Sequence, residues 1–126
     1  MDEQLQPEND VKLIVDLKAA FDSYANAAAE FKLYDDKFKI IYPALGLVGE
    51  AGEVADKIKK AIRDNNGNLD DDARLAVAKE LGDVLWYIAA LARDINVPFH
   101  IIPLLNINKL QDRKNRGVQG GSGDNR

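Results

Sequence analysis

Apolar residues recur at steps of three and four along most of this chain, and no stretch alternates convincingly with period two. That periodicity predicts helix nearly everywhere. Ile14, Leu17, Phe21, Tyr24, Ala28 and Phe31 form a heptad-like seam, with Asn9 or Asp10 placed to cap its start. A second helix opens near Pro43, a residue suited to a first helical turn. Its stripe is Leu47, Val48, Ala51, Val54, Ala55, Ile58, Ala61 and Ile62, and Asn65-Asn66-Gly67 ends it with residues that tolerate left-handed backbone. Asp70, Asp71 and Asp72 favour a new helix N-terminus. The third helix runs to about Ile95 with stripe Leu81, Val84, Leu85, Ile88, Ala92 and Ile95. A fourth starts between Pro98 and Pro103 and continues to about Arg116; Pro103 would disrupt a helix already under way. The expected fold class is all-α, a bundle of four to five helices.

Composition narrows the function classes. The chain has 126 residues, the size of one domain. It lacks Cys, which removes disulfides, thiolate zinc sites and Cys nucleophiles. Its single His, His100, stands near a helix start with no Glu-x-x-His partner, so it reads as structural and not as a ferritin-like ligand. The formal net charge of −4 argues against a nucleic acid polymer as partner. The longest apolar run, residues 84–92, falls far short of the ~18–20 residues that a membrane span needs. Residues 1–10 are polar and acidic, without a signal-peptide pattern. A soluble, cytoplasmic protein with no membrane partner is expected. Residues 1–116 make the domain, and residues 117–126 form a Gly-rich tail that is flexible by composition.

Four carboxylates carry the chemistry. The second helix holds Glu50-Ala51-Gly52-Glu53 and the third holds Glu80-Leu81-Gly82-Asp83. Residues three apart lie roughly 60° apart around a helix and ~4.5 Å along it, so each pair points to one side. Measured from Ala51 and Leu81, both pairs have the same angular offset from the apolar stripes. Packed side by side, the helices would bring four anions together, an arrangement that a hard divalent cation relieves. Against this, Glu53–Lys57 and Asp56–Lys60 at i,i+4 also fit a solvated, salt-bridged face. Tyr87, Ala76 and Ala90 share the side of Glu80 and Asp83, which favours a partly enclosed site. Gly49, Gly52 and Gly82 each cost helix stability, roughly 1 kcal/mol against Ala, and imply close approach of a helix or ligand.

The segment Gly46-Leu47-Val48-Gly49-Glu50-Ala51-Gly52-Glu53-Val54-Ala55-Asp56-Lys57, followed by Glu80-Leu81-Gly82-Asp83-Val84-Leu85-Trp86-Tyr87, resembles the MazG-like nucleoside triphosphate pyrophosphohydrolases of the all-α NTP pyrophosphatase superfamily. The resemblance implies Mg²⁺-dependent hydrolysis of an NTP or dNTP to monophosphate and pyrophosphate, with Mn²⁺ as a substitute metal. It puts Glu50, Glu53, Glu80 and Asp83 on metal-binding positions, and Glu53 in the catalytic role of orienting or deprotonating water. Phosphoryl transfer chiefly needs charge neutralisation and positioning, which agrees with such a site. Lys57 and Lys60 are candidate substrate ligands. So are Lys109, Arg113 and Arg116 in a segment whose local charge is positive. Tyr87, one turn after Asp83, is expected beside base or sugar, whereas Trp86 reads as core or interface. The tail also resembles short stand-alone members, which implies that it orders over nucleotide. The family further implies a homodimer or homotetramer, and the apolar surface on more than one helix face agrees. The competing reading is a non-catalytic helical module for oligomerisation or partner binding.

Overall fold

The protein, described here by a computed structural model over residues 7–126, consists of α1 (Pro7–Ala29), a single 3-10 turn (Asp36–Phe38), α2 (Ile41–Asn65), α3 (Asp71–Asp94) and α4 (Ile101–Asn115). No strand occurs among the described residues. The all-α expectation holds. The start of α1 differs: the helix begins at Pro7, so Asp10 lies inside it and does not cap it. The side chain of Asn9 falls outside the described residues. Phe31, expected on the α1 seam, lies beyond the helix end in the turn that follows.

Backbone contacts divide the chain into two units, one of them Ala25–Asn96. In that unit α2 and α3 form an antiparallel pair. Asn66 and Gly67 make the reversal with φ of 51° and 79°, and the Gly67 N–H closes on the Ala61 carbonyl at 3.0 Å. Asp70 then caps α3, its side chain accepting the Ala73 N–H at 2.8 Å. These are the residues whose chemistry predicted the turn.

The entry to α2 is less ordinary. Ile40 has φ 69° and ψ −55°, and the Ile41 N–H bonds to the Lys39 carbonyl at 2.8 Å. That is a γ-turn of the rarer, strained hand, and a β-branched residue resists it. The end of α3 holds it in place. The Asp94 carboxylate accepts the Ile40 N–H at 3.1 Å and the Tyr34 O–H at 2.8 Å. Tyr34 in turn stacks on Tyr42 with ring centroids 4.8 Å apart. Pro43, buried in the first turn of α2, needs no N–H partner there.

The packing faces of α2 and α3 depart from the expected stripes. Val48 is 72% exposed, Ile62 63% and Leu81 52%. Of the expected stripes, Ala92 is buried and Leu47, Val54, Val84 and Ile88 are half-buried; the other buried side chains of this unit are Ala28, Tyr34, Pro43, Ala89 and Ala90. The reason is local. Gly46 lets the Tyr87 ring onto the α2 backbone: a Cβ at Gly46 would sit 2.2 Å from the ring. With the helices in that register, Val48, Ile58, Ile62, Leu81 and Leu85 of the stripes are left exposed. Close approach was also expected at Gly49, Gly52 and Gly82, but a Cβ there would meet nothing within 4 Å. The Trp86 indole N–H donates to the Ala28 carbonyl at 3.0 Å, tying α3 to the end of α1.

The second unit joins the part of α1 through Tyr24 to Val97–Arg126. Phe99 is its buried anchor, edge-on to Phe21 at 4.9 Å. His100 Nδ1 lies 2.9 Å from Asp22, and the Lys18 and His100 contacts hold the Asp22 carboxyl down at about 2. Helix α4 begins two residues before Pro103, which thus occupies the first turn, where its missing N–H costs nothing. Residues 117–126 fold back on α4. Gly117, at φ 69°, reverses the chain, and the buried Arg113 guanidinium donates to the Gly123 and Asp124 carbonyls at 3.3 and 3.1 Å. The flexible tail expected from composition is therefore held by a side chain of the helix it follows.

Replacing Asp94 by Ala strands the Tyr34 hydroxyl and the Ile40 amide while the strained turn persists. The expected loss is about 2–4 kcal/mol of stability, given 1.5–3 kcal/mol for a hydrogen bond to a charged group. Urea denaturation measures it, and a loss under about 0.5 kcal/mol would contradict the clamp.

Candidate functional site

The seam between α2 and α3 carries the carboxylates. With Gly46 under Tyr87, one helical turn further along α2 sets Glu50 opposite Asp83, and Lys57, two turns beyond Glu50, reaches back one turn along the seam to Glu80. Glu50, Glu80 and Asp83 each offer an oxygen within 4.8 Å of the other two. Glu50 and Glu80 are half-buried and Asp83 is exposed. The expected fourth member, Glu53, is not in this group. It lies exposed on the next turn of α2, although its charge still acts on Glu50.

Electrostatics give the cluster its chemistry. Burial first, and then the charges of Asp83, Glu80 and Glu53, push the Glu50 carboxyl above its ordinary value. Lys57 is the cation that reaches the trio, its Nζ 3.5 Å from Glu80 Oε1. The i,i+4 pair expected between Glu53 and Lys57 gives way to this cross-helix contact. Three carboxylates against one ammonium leave an excess of negative charge on oxygen ligands, which suits a hard divalent cation. The Lys60 ammonium, by contrast, rests on Asp56 at 2.6 Å, the solvated pair that spacing allowed. Lys57 and Lys60 both line a shallow pocket of about 250 Å³ near the α2–α3 turn.

On the other side of the trio, Glu50 and Asp83 share a cavity of about 340 Å³ with Phe31, Trp86 and Tyr87. Tyr87 thus lies beside the carboxylates, as its spacing from Asp83 implied. Its hydroxyl is pushed up by burial and by Tyr42 and Glu50. Trp86 meets Tyr87 edge-on at 5.0 Å. Phe31 was not visible as a cavity residue, because its i,i+3 spacing from Ala28 assigned it to a helical seam.

The basic residues of α4 are engaged within their own unit. Asp124 lies 3.4 Å from Lys109 and 3.3 Å from Arg113, and Arg116 pairs with Asp112 at 2.7 Å. Each expected phosphate ligand on α4 therefore already has an anionic partner.

Among known proteins, the family model of the MazG nucleotide pyrophosphohydrolase domain matches residues 43–118, well over half the chain. The matched segment holds all four motif carboxylates, but Phe31 lies outside it. The Gene 37 protein of Mycobacterium phage L5 is 45% identical over 111 residues, covering 83% of this chain and 97% of that protein. No solved structure matches. No helix among the described residues is long and apolar enough to cross a membrane. The family is divalent-metal dependent and acts on nucleotides, and the acidic trio lies within the matched segment. The chain belongs to the MazG nucleotide pyrophosphohydrolase family.

Proposed function

We propose that the chain is a Mg²⁺-dependent pyrophosphohydrolase that converts an NTP or dNTP to the monophosphate and pyrophosphate. The observation that carries this reading is the convergence of Glu50, Glu80 and Asp83 from two helices, with their excess of negative charge. These three hold the metal in this proposal, and Glu53 stands at its rim. A divalent cation held by these three would neutralise phosphate charge in the seam. Exposed and outside the trio, Glu53 is free to orient a water and take its proton as the oxygen attacks the α-phosphorus. The bond from that phosphorus to the α–β bridging oxygen breaks, and pyrophosphate leaves. Lys57 exchanges Glu80 for a phosphate oxygen, and Lys60 follows from the adjoining pocket. Cytoplasmic location belongs to the same proposal, as the compartment of the substrate pool.

Incubation with a panel of NTPs and dNTPs plus Mg²⁺ tests the reaction. Monophosphate and pyrophosphate are the expected products, whereas orthophosphate or no turnover across the panel defeats the proposal. Glu50→Gln and Glu53→Gln should each lower kcat at least about 100-fold with the fold retained by circular dichroism.

Assembly is part of the reading. Val48, Ile58 and Ile62 on α2, with Leu81 and Leu85 on α3, leave an exposed apolar stripe that a second copy would cover. A homodimer or homotetramer is expected, and a monomer mass by light scattering at micromolar concentration contradicts it.

Lys109, Arg113 and Arg116 serve substrate phosphate in this proposal by exchanging their carboxylate partners, with Asp124 acting as the tail's stand-in for phosphate. Removing residues 117–126 should raise KM for nucleotide several-fold. Unchanged kinetics would remove the tail and these cations from the site.

A further inference from the structure

The cavity beside the carboxylate trio has walls that the proposed reaction has not used. Two of its five lining residues, Glu50 and Asp83, belong to the trio, and the other three are the rings of Phe31, Trp86 and Tyr87. A ligand whose phosphates are held at the carboxylates therefore extends its remaining part between aromatic walls.

Each ring is fixed differently. Tyr87 is backed by the α2 backbone at Gly46 and cannot retreat. Trp86 donates its indole N–H to the Ala28 carbonyl at 3.0 Å, which leaves its π-face as the surface it offers. The same carbonyl accepts the Phe31 backbone N–H at 3.1 Å. The Phe31 backbone and the Trp86 indole thus share one acceptor, which brings the two residues to the same end of the cavity. Yet Phe31 is 70% exposed and makes no ring contact among the described residues. A large apolar ring is held at the mouth of a cavity with an open face.

We propose that Phe31, Trp86 and Tyr87 form a stacking slot for the nucleobase, and that Phe31 is the residue that sets the choice of base. This rests on the pyrophosphohydrolase reading of the neighbouring carboxylates. Phe31 has no polar atom, and Trp86 has engaged its only donor. Selection by this wall is by stacking area, so purine nucleotides are favoured over pyrimidine nucleotides. Phe31 lies outside the residues matched by the family model, whereas Trp86 and Tyr87 lie within them.

Kinetics and fluorescence together test the slot. Phe31→Ala should raise KM for purine nucleotides about ten-fold with little change in kcat, and bring the purine-to-pyrimidine ratio of kcat/KM towards one. Phe31→Tyr, which keeps the ring, should restore the preference, and Phe31→Leu, which keeps only bulk, should not. An unchanged ratio in Phe31→Ala, or a wild-type preference for pyrimidines, overturns the proposal. Trp86 is the only Trp, so intrinsic fluorescence reports the slot directly. A purine nucleoside monophosphate should quench it, inorganic tripolyphosphate should not, and Phe31→Ala should weaken the purine effect about ten-fold. Quenching by purine without turnover of any triphosphate would defeat the pyrophosphohydrolase reading and leave the slot standing. Turnover with no purine-dependent quenching would do the reverse.

Discussion

The register of α2 against α3 depends on one contact, the Tyr87 ring lying on the backbone of Gly46. A Cβ at that position would sit 2.2 Å from the ring, so no other residue keeps the two helices this close. From that point the antiparallel pair counts off its contacts at helical spacing. Glu50 meets Asp83, and Lys57 reaches Glu80. None of these later contacts holds the helices together by itself. The carboxylates repel, and an exposed or half-exposed ion pair contributes only about 0–1 kcal/mol. The attraction has to come from elsewhere, and the aromatic contact over a glycine supplies it next to the charges.

The two ends of this unit bear the strain that the seam requires. Ile40 holds a conformation disfavoured by a cost of order 1–3 kcal/mol at the residue preceding α2. It persists because Asp94, from the last turn of α3, accepts both the Ile40 amide and the Tyr34 hydroxyl. The clamp therefore joins the end of one site helix to the start of the other. It also orients Tyr42, stacked on Tyr34, four residues before Gly46. A relaxed turn at Ile40 would let α2 enter at another angle, and Tyr87 would lose its seat. Strain at the entry and close approach at the glycine belong to one device that fixes where the carboxylates stand.

Much of this was legible in the sequence, and the illegible part has one common cause. Helix positions followed from periodicity, and their ends from residues with a local preference, such as Asn66, Gly67, Asp70 and Pro103. The approach of Glu50 to Glu80 and Asp83 agrees with the shared angular offset, but i,i+3 spacing on α2 also put Glu53 in the group, and it does not join it. These are properties of a residue and its own helix. What failed were statements about partners. Periodicity groups Val48, Ile58 and Ile62 on one face, but it does not say what covers that face, and here nothing in the chain's own unit does. Lys57 had Glu53 on its own helix and Glu80 across the seam, and spacing exposes only the first. Gly49, Gly52 and Gly82 looked like sites of close approach, whereas the close approach is at Gly46. The deciding fact, a ring on the facing helix, is not a local one. Phe31 fell to the same difficulty, since α1 ends just before it.

Charge is distributed by the same logic of partners. The basic residues of α4 form the obvious phosphate site by composition, yet Asp112 and Asp124 already neutralise Arg116, Arg113 and Lys109. The acidic trio has one ammonium near it and Glu50 pushed towards its neutral form. Bare attraction thus does not bring a polyanion to either place. At the trio, a triphosphate approaching without a cation meets like charge in a half-buried seam, where repulsion is screened less than in water. In the proposed reaction Glu50, Glu80 and Asp83 would hold a divalent cation, and Lys57 would then be available to a phosphate oxygen. The net charge of −4 thus conceals two opposite local arrangements, and under the proposed reaction the acidic one would favour a triphosphate that arrives already paired with metal.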